Sequence, residues 1–167
     1  MNNKGFSLIE TLIAIAIFGI LLTALTAFFI SQNRQYVVQS QIVEMQDNAR
    51  AAMDFTVRML RNNDDHTPGI TGNTCSHSLK FTDVFGNEHQ FRRYSSSTDG
   101  PNTFGYHKNP DTGTIDPFAM NITCFEVLHV GNQFEIIITA ETDRVLPGIG
   151  QKGSVTLEST VKPRNLN

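Results

Sequence analysis

Glu10 is the residue whose position most needs a chemical explanation. It stands one step before residues 11–30, a run of twenty residues without a charge, and its neighbours include Phe6, Leu8 and Ile9. A carboxylate held beside apolar lipid costs a few kcal/mol unless it finds water or a partner. Glu10 therefore either stays hydrated at headgroup level or pairs with a cation. The other chemically distinctive residues are two cysteines, Cys75 and Cys124, and five histidines, His66, His77, His89, His107 and His129. The histidines are scattered singly, and Cys75-Ser76-His77 has no second pair at metal-ligand spacing. No metal site is expected from this pattern.

No other motif raises an enzyme. Asp111-Thr112-Gly113 has the composition of the aspartic protease triplet, but it lies in a polar loop between Pro110 and Pro117 and has no second copy, so it reads as a turn. Asp111 and Asp116 lack EF-hand spacing for calcium. Asn121-Ile122-Thr123 is formally a glycosylation sequon. Ser/His/Asp and Cys/His sets, phosphate-cradling glycine loops and nucleotide motifs are not identifiable, so a structural protein without catalytic residues or cofactor is expected. Arg92-Arg93-Tyr94 sets two cations beside an aromatic, a combination able to meet phosphates and stack on a base. A solvated strand edge accounts for it equally well. The formal net charge of -3 gives no general basic surface for a polyanion.

The elements that must carry these residues follow from where proline and glycine fall. All six prolines and all but two of the twelve glycines, Gly5 and Gly19, lie after residue 67. The first part can therefore run as continuous helix, whereas the later part suits short strands joined by turns. Twenty helical residues rise about 30 Å, the thickness of a bilayer core. Residues 11–30 are long enough to span, and too long for the apolar region of a cleaved secretory signal.

Lys4-Gly5-Phe6-Ser7-Leu8-Ile9-Glu10, followed by Thr11-Leu12 and the apolar run, resembles the N-terminal signal of type IV prepilins and pseudopilins. That resemblance implies cleavage by a prepilin peptidase between Gly5 and Phe6, on the cytoplasmic side, and N-methylation of the new Phe6 amine. Glu10 then becomes the fifth mature residue. Its carboxylate is expected to pair with the Phe6 ammonium of a neighbouring subunit, which would satisfy two charges that lipid or a packed core penalises. Many major pilins carry a proline in this helix. The chain has none, with Ala27 near the place where one would stand, which suits a minor pilin or pseudopilin. Gly19 is compatible with close helix packing.

Beyond Ser31 the helical stripe continues through Val38, Ile42, Met45, Ala49, Ala52, Thr56 and Met59, at steps of four and three. Arg50, Asp54 and Arg58 are spaced for pairing on the opposite face. A helix from Phe6 to about Asn62 would be about 85 Å long. Residues 44–61 are similar to the same region of PilW-like minor pilins and of the J pseudopilins of type II secretion. So is the ending Leu157-Glu158-Ser159-Thr160-Val161-Lys162-Pro163-Arg164-Asn165.

Residues 62–73 read as a linker. Residues 79–84 and 88–94 flank a short turn as one hairpin, and residues 122–130 and 133–141 form a second across Gly131-Asn132. Residues 95–117 read as a long surface loop with one short strand at 104–107. In residues 155–161, Val155, Leu157, Ser159 and Val161 alternate with polar neighbours. The expected architecture is α+β and pilin-like, with one long N-terminal helix against an antiparallel β-sheet. The expected divisions are a leader (1–5), a membrane and assembly helix (6–30), a helix continuation packed on the domain (31–62) and a β-sheet domain (63–167).

This topology puts Cys75 and Cys124 outside the cytoplasm, where oxidation is allowed. A disulfide is expected, with two buried thiols as the alternative. The resemblance implies a minor type IV pilin, with a type II secretion pseudopilin as the alternative and a DNA-uptake tip pilin behind both. The implied partners are the prepilin peptidase, the inner membrane, other major and minor pilins met through the N-terminal helix, and the pilus assembly machinery. The implied location is the inner membrane with the C-terminal domain periplasmic, then the fibre.

Overall fold

The computed structural model describes residues 7–62, 69–72, 74–83, 85–96, 100–109 and 115–163. Gly5, Phe6 and the Asp111-Thr112-Gly113 triplet lie outside them. Helix α1, Leu8–Arg61, is followed by eight strands: β1 Gly69–Thr71, β2 Ser78–Thr82, β3 Glu88–Ser96, β4 Gly100–Lys108, β5 Asp116–Ala119, β6 Ile122–Val130, β7 Gln133–Glu141 and β8 Ser154–Val161. The chain divides into two compact units, Met1–Ser40 and Gln41–Asn167.

In the second unit the helical stripe read from the sequence is the buried one. Met45, Ala49, Ala52, Met53, Thr56 and Leu60 face inward, with Ile42 and Met59 partly covered. Ala49 and Ala52 are fully buried and keep that helix face low, so the sheets can approach it. Thr56 avoids a buried unsatisfied hydroxyl by donating to the Ala52 carbonyl at 2.8 Å. Arg50, Asp54 and Arg58 occupy the exposed face, yet no ion pair within 4.0 Å joins them. Exposed pairs gain little from being held in one geometry.

The strands form two antiparallel sheets, one in the order β1-β2-β3-β4-β5 and one in the order β6-β7-β8. A parallel bridge between Ser76 and Phe125 links the first sheet's lead-in segment to β6. The β6–β7 hairpin turns at Gly131-Asn132 as expected, with Gly131 in the left-handed region at φ 62°. Phe134, Ile136, Ile138 and Ala140 point inward from β7, and the alternating apolar face of β8 packs beside them.

Two stretches read as loop are strands. Gly69–Thr71 pairs with β2, and residues 100–108 form the nine-residue β4, hydrogen-bonded between β3 and β5. The Ser, Gly and Asn content of this region suggests a loop, but the pairing is decided elsewhere. Phe104 is fully buried against Phe91 and Phe125, and Tyr106 packs on Phe55 of α1. Each such ring adds aromatic packing to its buried area. These contacts outweigh weak local strand propensity.

Gly105 is needed for close approach rather than for its backbone angle. A Cβ there would overlap the Tyr94 ring and Ile115 Cγ2. Gly105→Ala is expected to destabilise the folded chain by about 1–3 kcal/mol through overpacking. Thermal unfolding of the two proteins in the same detergent checks this.

Candidate functional site at the helix N-terminus

Helix α1 begins with its own cap. The Ser7 backbone N–H donates to Glu10 Oε2 at 3.0 Å, and the Glu10 and Thr11 N–H groups donate to the Ser7 carbonyl at 3.0 and 3.2 Å. Ser7-Leu8-Ile9-Glu10 is the Ser-x-x-Glu spacing that starts a helix, with the Glu reaching back to the cap residue's N–H. The carboxylate also sits at the positive end of the helix dipole. Sequence reading set hydration against ammonium pairing and missed this local role, although the spacing that announces it was present. A carboxylate accepts up to about four hydrogen bonds, so the capping contact leaves room for a cation.

Past Glu10 the first unit offers an apolar surface on every side. Ile13, Ile15, Phe18, Ile20 and Phe29 are all exposed, and a Cβ at Gly19 would meet nothing within 4 Å. A helix apolar all round belongs in lipid or among other apolar chains. Its three threonines do not contradict this. Thr11, Thr23 and Thr26 donate their hydroxyls to the carbonyls of Leu8, Ile20 and Thr23 at 2.7–2.8 Å. These polar groups are satisfied inside the helix, as a water-free bilayer core requires. Among the described residues one helix is thus long and apolar enough to cross a membrane, near the N-terminus. It has no break near Ala27.

Residues 1–26 match the prokaryotic N-terminal methylation motif. No curated protein and no solved structure matches the chain. The methylation motif, with the long helix on antiparallel sheets behind it, supports a type IV pilin-type subunit that is processed by a prepilin peptidase and assembles with other pilins. The motif and the apolar helix together support membrane anchoring before assembly.

Beyond the methylation motif, in the second unit, the cysteines and two of the histidines, His77 and His89, tie parts of the fold together, and His66 lies outside the described residues. Cys75 and Cys124 are joined by a disulfide between residues 49 apart in sequence. Beside it, His77 N–H donates to the Phe125 carbonyl at 3.0 Å and Val127 N–H donates to His77 Nδ1 at 3.0 Å. Glu126 is near both sulfurs, but sulfurs bonded to each other are not thiolate ligands.

Arg92 and Arg93 are consecutive strand residues, so they point to opposite faces and make no single basic patch. Arg93 is committed inward, donating to Asn102 Oδ1 at 3.2 Å, Ser76 Oγ at 2.9 Å and the Thr123 carbonyl. It ties β3 to β4, to β6 and to the disulfide segment. The Tyr94 ring covers Gly105. That geometry removes the basis for stacking and phosphate contact by these three residues as a group.

Asp83, His89 and Tyr106 form a line that no sequence motif announces. His89 Nε2 lies 3.0 Å from Asp83 Oδ2, and its Nδ1 lies 2.6 Å from the Tyr106 hydroxyl. A neutral ring protonated on Nε2 satisfies all three groups. Asn87, then His89, donate to the Asp83 carboxylate and hold its pKa well below the usual carboxylate range. That contribution to stability is present above the unfolded value and disappears only in strong acid.

His107 behaves differently. It is buried with neither ring nitrogen hydrogen-bonded, and its pKa is lowered by burial and then by Arg92, against an opposing pull from Asp116. The unfolded chain therefore binds more protons than the folded one as pH falls below about 6.5. Stability is expected to fall with pH from about 6.5 down to the depressed value. In His107→Gln this part of the slope should vanish, a change readable in urea midpoints at several pH values.

Proposed function

We propose that the chain is a minor type IV pilin, a structural subunit without catalytic residues that enters the fibre at low copy and helps start or cap it. One observation carries the reading. Glu10 lies within the methylation motif, at the head of an apolar helix, where a neighbour's methylated Phe6 ammonium is the fitting cation. Residues 1–5 act as the cleaved leader and residues 6–30 as the membrane and assembly helix. Residues 31–62 carry the packed continuation, and residues 63–167 form the β domain, which faces the periplasm before assembly.

A helix α1 assigned without interruption and free of proline favours a minor subunit over a main fibre subunit, since proline is the commonest cause of a sharp kink. The same feature suits a type II secretion pseudopilin, and the soft likeness of residues 44–61 to both groups keeps that as the second reading. A DNA-uptake tip pilin has no support from the arrangement of Arg92, Arg93 and Tyr94.

Mass spectrometry of the N-terminus, from cells with and without a functional prepilin peptidase, tests the proposal. The expected mature chain starts at N-methylated Phe6 only when the peptidase is present. Retention of residues 1–5 in both strains, or a cut beyond the apolar run, would overturn it. Finding the processed subunit in sheared surface fibres supports the pilus. Finding it only with periplasmic secretion components supports the pseudopilin.

A further inference from the structure

We propose that the outer edge of β8 takes up one further strand, an extended segment of a different protein that sets apolar and carboxylate side chains against α1. The inference uses the second unit alone, so it stands apart from the anchor and from the pilin reading. Two backbone hydrogen bonds fix which groups β8 turns outward. Glu141 N–H donates to the Asn121 carbonyl on the β6 side at 2.9 Å, and Thr142 N–H donates to the Gly153 carbonyl on the β8 side at 2.8 Å. The N–H and C=O of one strand residue point the same way, and the direction alternates along the strand. The even-numbered residues of β7 therefore face β8, and their partners Val155, Leu157, Ser159 and Val161 spend their backbone groups on that ladder. Ser154, Thr156, Glu158 and Thr160 turn theirs outward, where none meets a partner among the described residues.

The other edges are guarded. β1 has three residues, and β5 has four with Pro117 among them. The outer side of β6 is occupied from Thr123 to Val127. Phe125 N–H donates to the Cys75 carbonyl at 3.3 Å, His77 N–H donates to the Phe125 carbonyl at 3.0 Å, Val127 N–H donates to His77 Nδ1 at 3.0 Å, and Arg93 donates to the Thr123 carbonyl. β8, by contrast, has eight residues in unbroken register without proline or lysine, and Lys162 and Pro163 come only after its end. Proteins blunt an edge of that length unless it pairs. Its outward donors and acceptors repeat about 6.8 Å apart, the spacing an added strand matches. A groove of about 650 Å³ gives that strand's chemistry. Met53, Asp54, Val57, Arg58 and Arg61 of α1 line it, and among the described residues Ser159 is the sheets' one contribution, so the groove opens beside the bare edge. Arg58 and Arg61 are exposed and have no ion pair within 4.0 Å. Apolar side chains over Met53 and Val57, with a carboxylate for the two guanidinium groups, suit this lining. β8 of a second copy would bring Val155, Leu157 and Ser159 to this side and no carboxylate, so the fitting strand belongs to a different protein.

Amide hydrogen exchange, read by NMR on the full-length protein in detergent, tests the edge before any partner is added. The N–H groups of Ser154, Thr156, Glu158 and Thr160 should exchange fast, and those of Val155, Leu157 and Ser159 slowly. A random linear peptide library selected on the same protein then supplies the probe. The expected peptides alternate apolar with polar residues, carry Asp or Glu on the apolar side, and slow the four outward amides on binding. Glu158→Pro removes one outward N–H and leaves the β7 ladder whole. Peptide Kd should then rise about tenfold or more, with circular dichroism and thermal midpoint unchanged. Arg58→Glu together with Arg61→Glu should turn the selection toward Lys-bearing peptides. If Glu158→Pro misfolds, Thr156→Pro carries the test. Outward amides that are slow before any peptide is added mean a covered edge, and failure of every selected peptide to slow them, or equal binding to the proline variant, means no strand addition. Each overturns the proposal. So does concentration-dependent self-association that Glu158→Pro abolishes, because the occupant is then a second copy.

Discussion

Glu10→Gln should insert into the membrane and keep its helix start, yet fail to enter fibres. The glutamine retains an oxygen able to accept from the Ser7 N–H, which Glu10 Oε2 does at 3.0 Å, and Gln serves at this capping position. What it loses is the charge for a neighbour's Phe6 ammonium. Removing one member of a desolvated pair leaves the other unpaired at a cost of about 3–5 kcal/mol. At about 1.4 kcal/mol per decade, incorporation should fall about a hundredfold or more. Glu10→Ala should fail in the same way and also lose the cap, a further effect of about 0.3–1 kcal/mol. Immunoblots of sheared fibres against membrane fractions measure the ratio. Wild-type incorporation of Glu10→Gln would reduce Glu10 to a helix cap.

Loss of the disulfide should have the largest effect on stability. Cys75→Ser is expected to lower the unfolding free energy of the full chain by about 4 kcal/mol, from the loop-closure relation for the 49-residue separation. The bridge lies where the two sheets meet, next to the Ser76–Phe125 pairing and the Arg93 contacts. Its loss should therefore loosen that seam before the aromatic core. Denaturant midpoints in detergent, with the oxidised parent as reference, give the difference, and non-reducing gels verify the bond. Equal midpoints would mean that the seam is held without it.

The periodic parts of the chain were the legible ones. Residues 11–30 announce a span by length and lack of charge, and the stripe from Ile42 to Met59 announces the buried face of α1. Gly131-Asn132 and the alternation in β7 and β8 mark the second hairpin. Each of these is a local pattern with one physical period, so neighbouring residues suffice to read it. The Ser7–Glu10 cap is equally local, because the Ser-x-x-Glu spacing alone encodes it.

What the sequence by itself determined is an apolar anchor behind an N-terminal methylation motif and a helix-plus-strands composition, because these follow from short-range spacing. Tertiary structure alone decided that residues 100–108 pair inside a five-stranded sheet, that Arg93 is spent on internal acceptors, and that Asp83, His89 and Tyr106 meet. Those outcomes depend on residues far apart in the chain, and no local period encodes them. Phe104 enters the core because Phe91 and Phe125 are there to receive it.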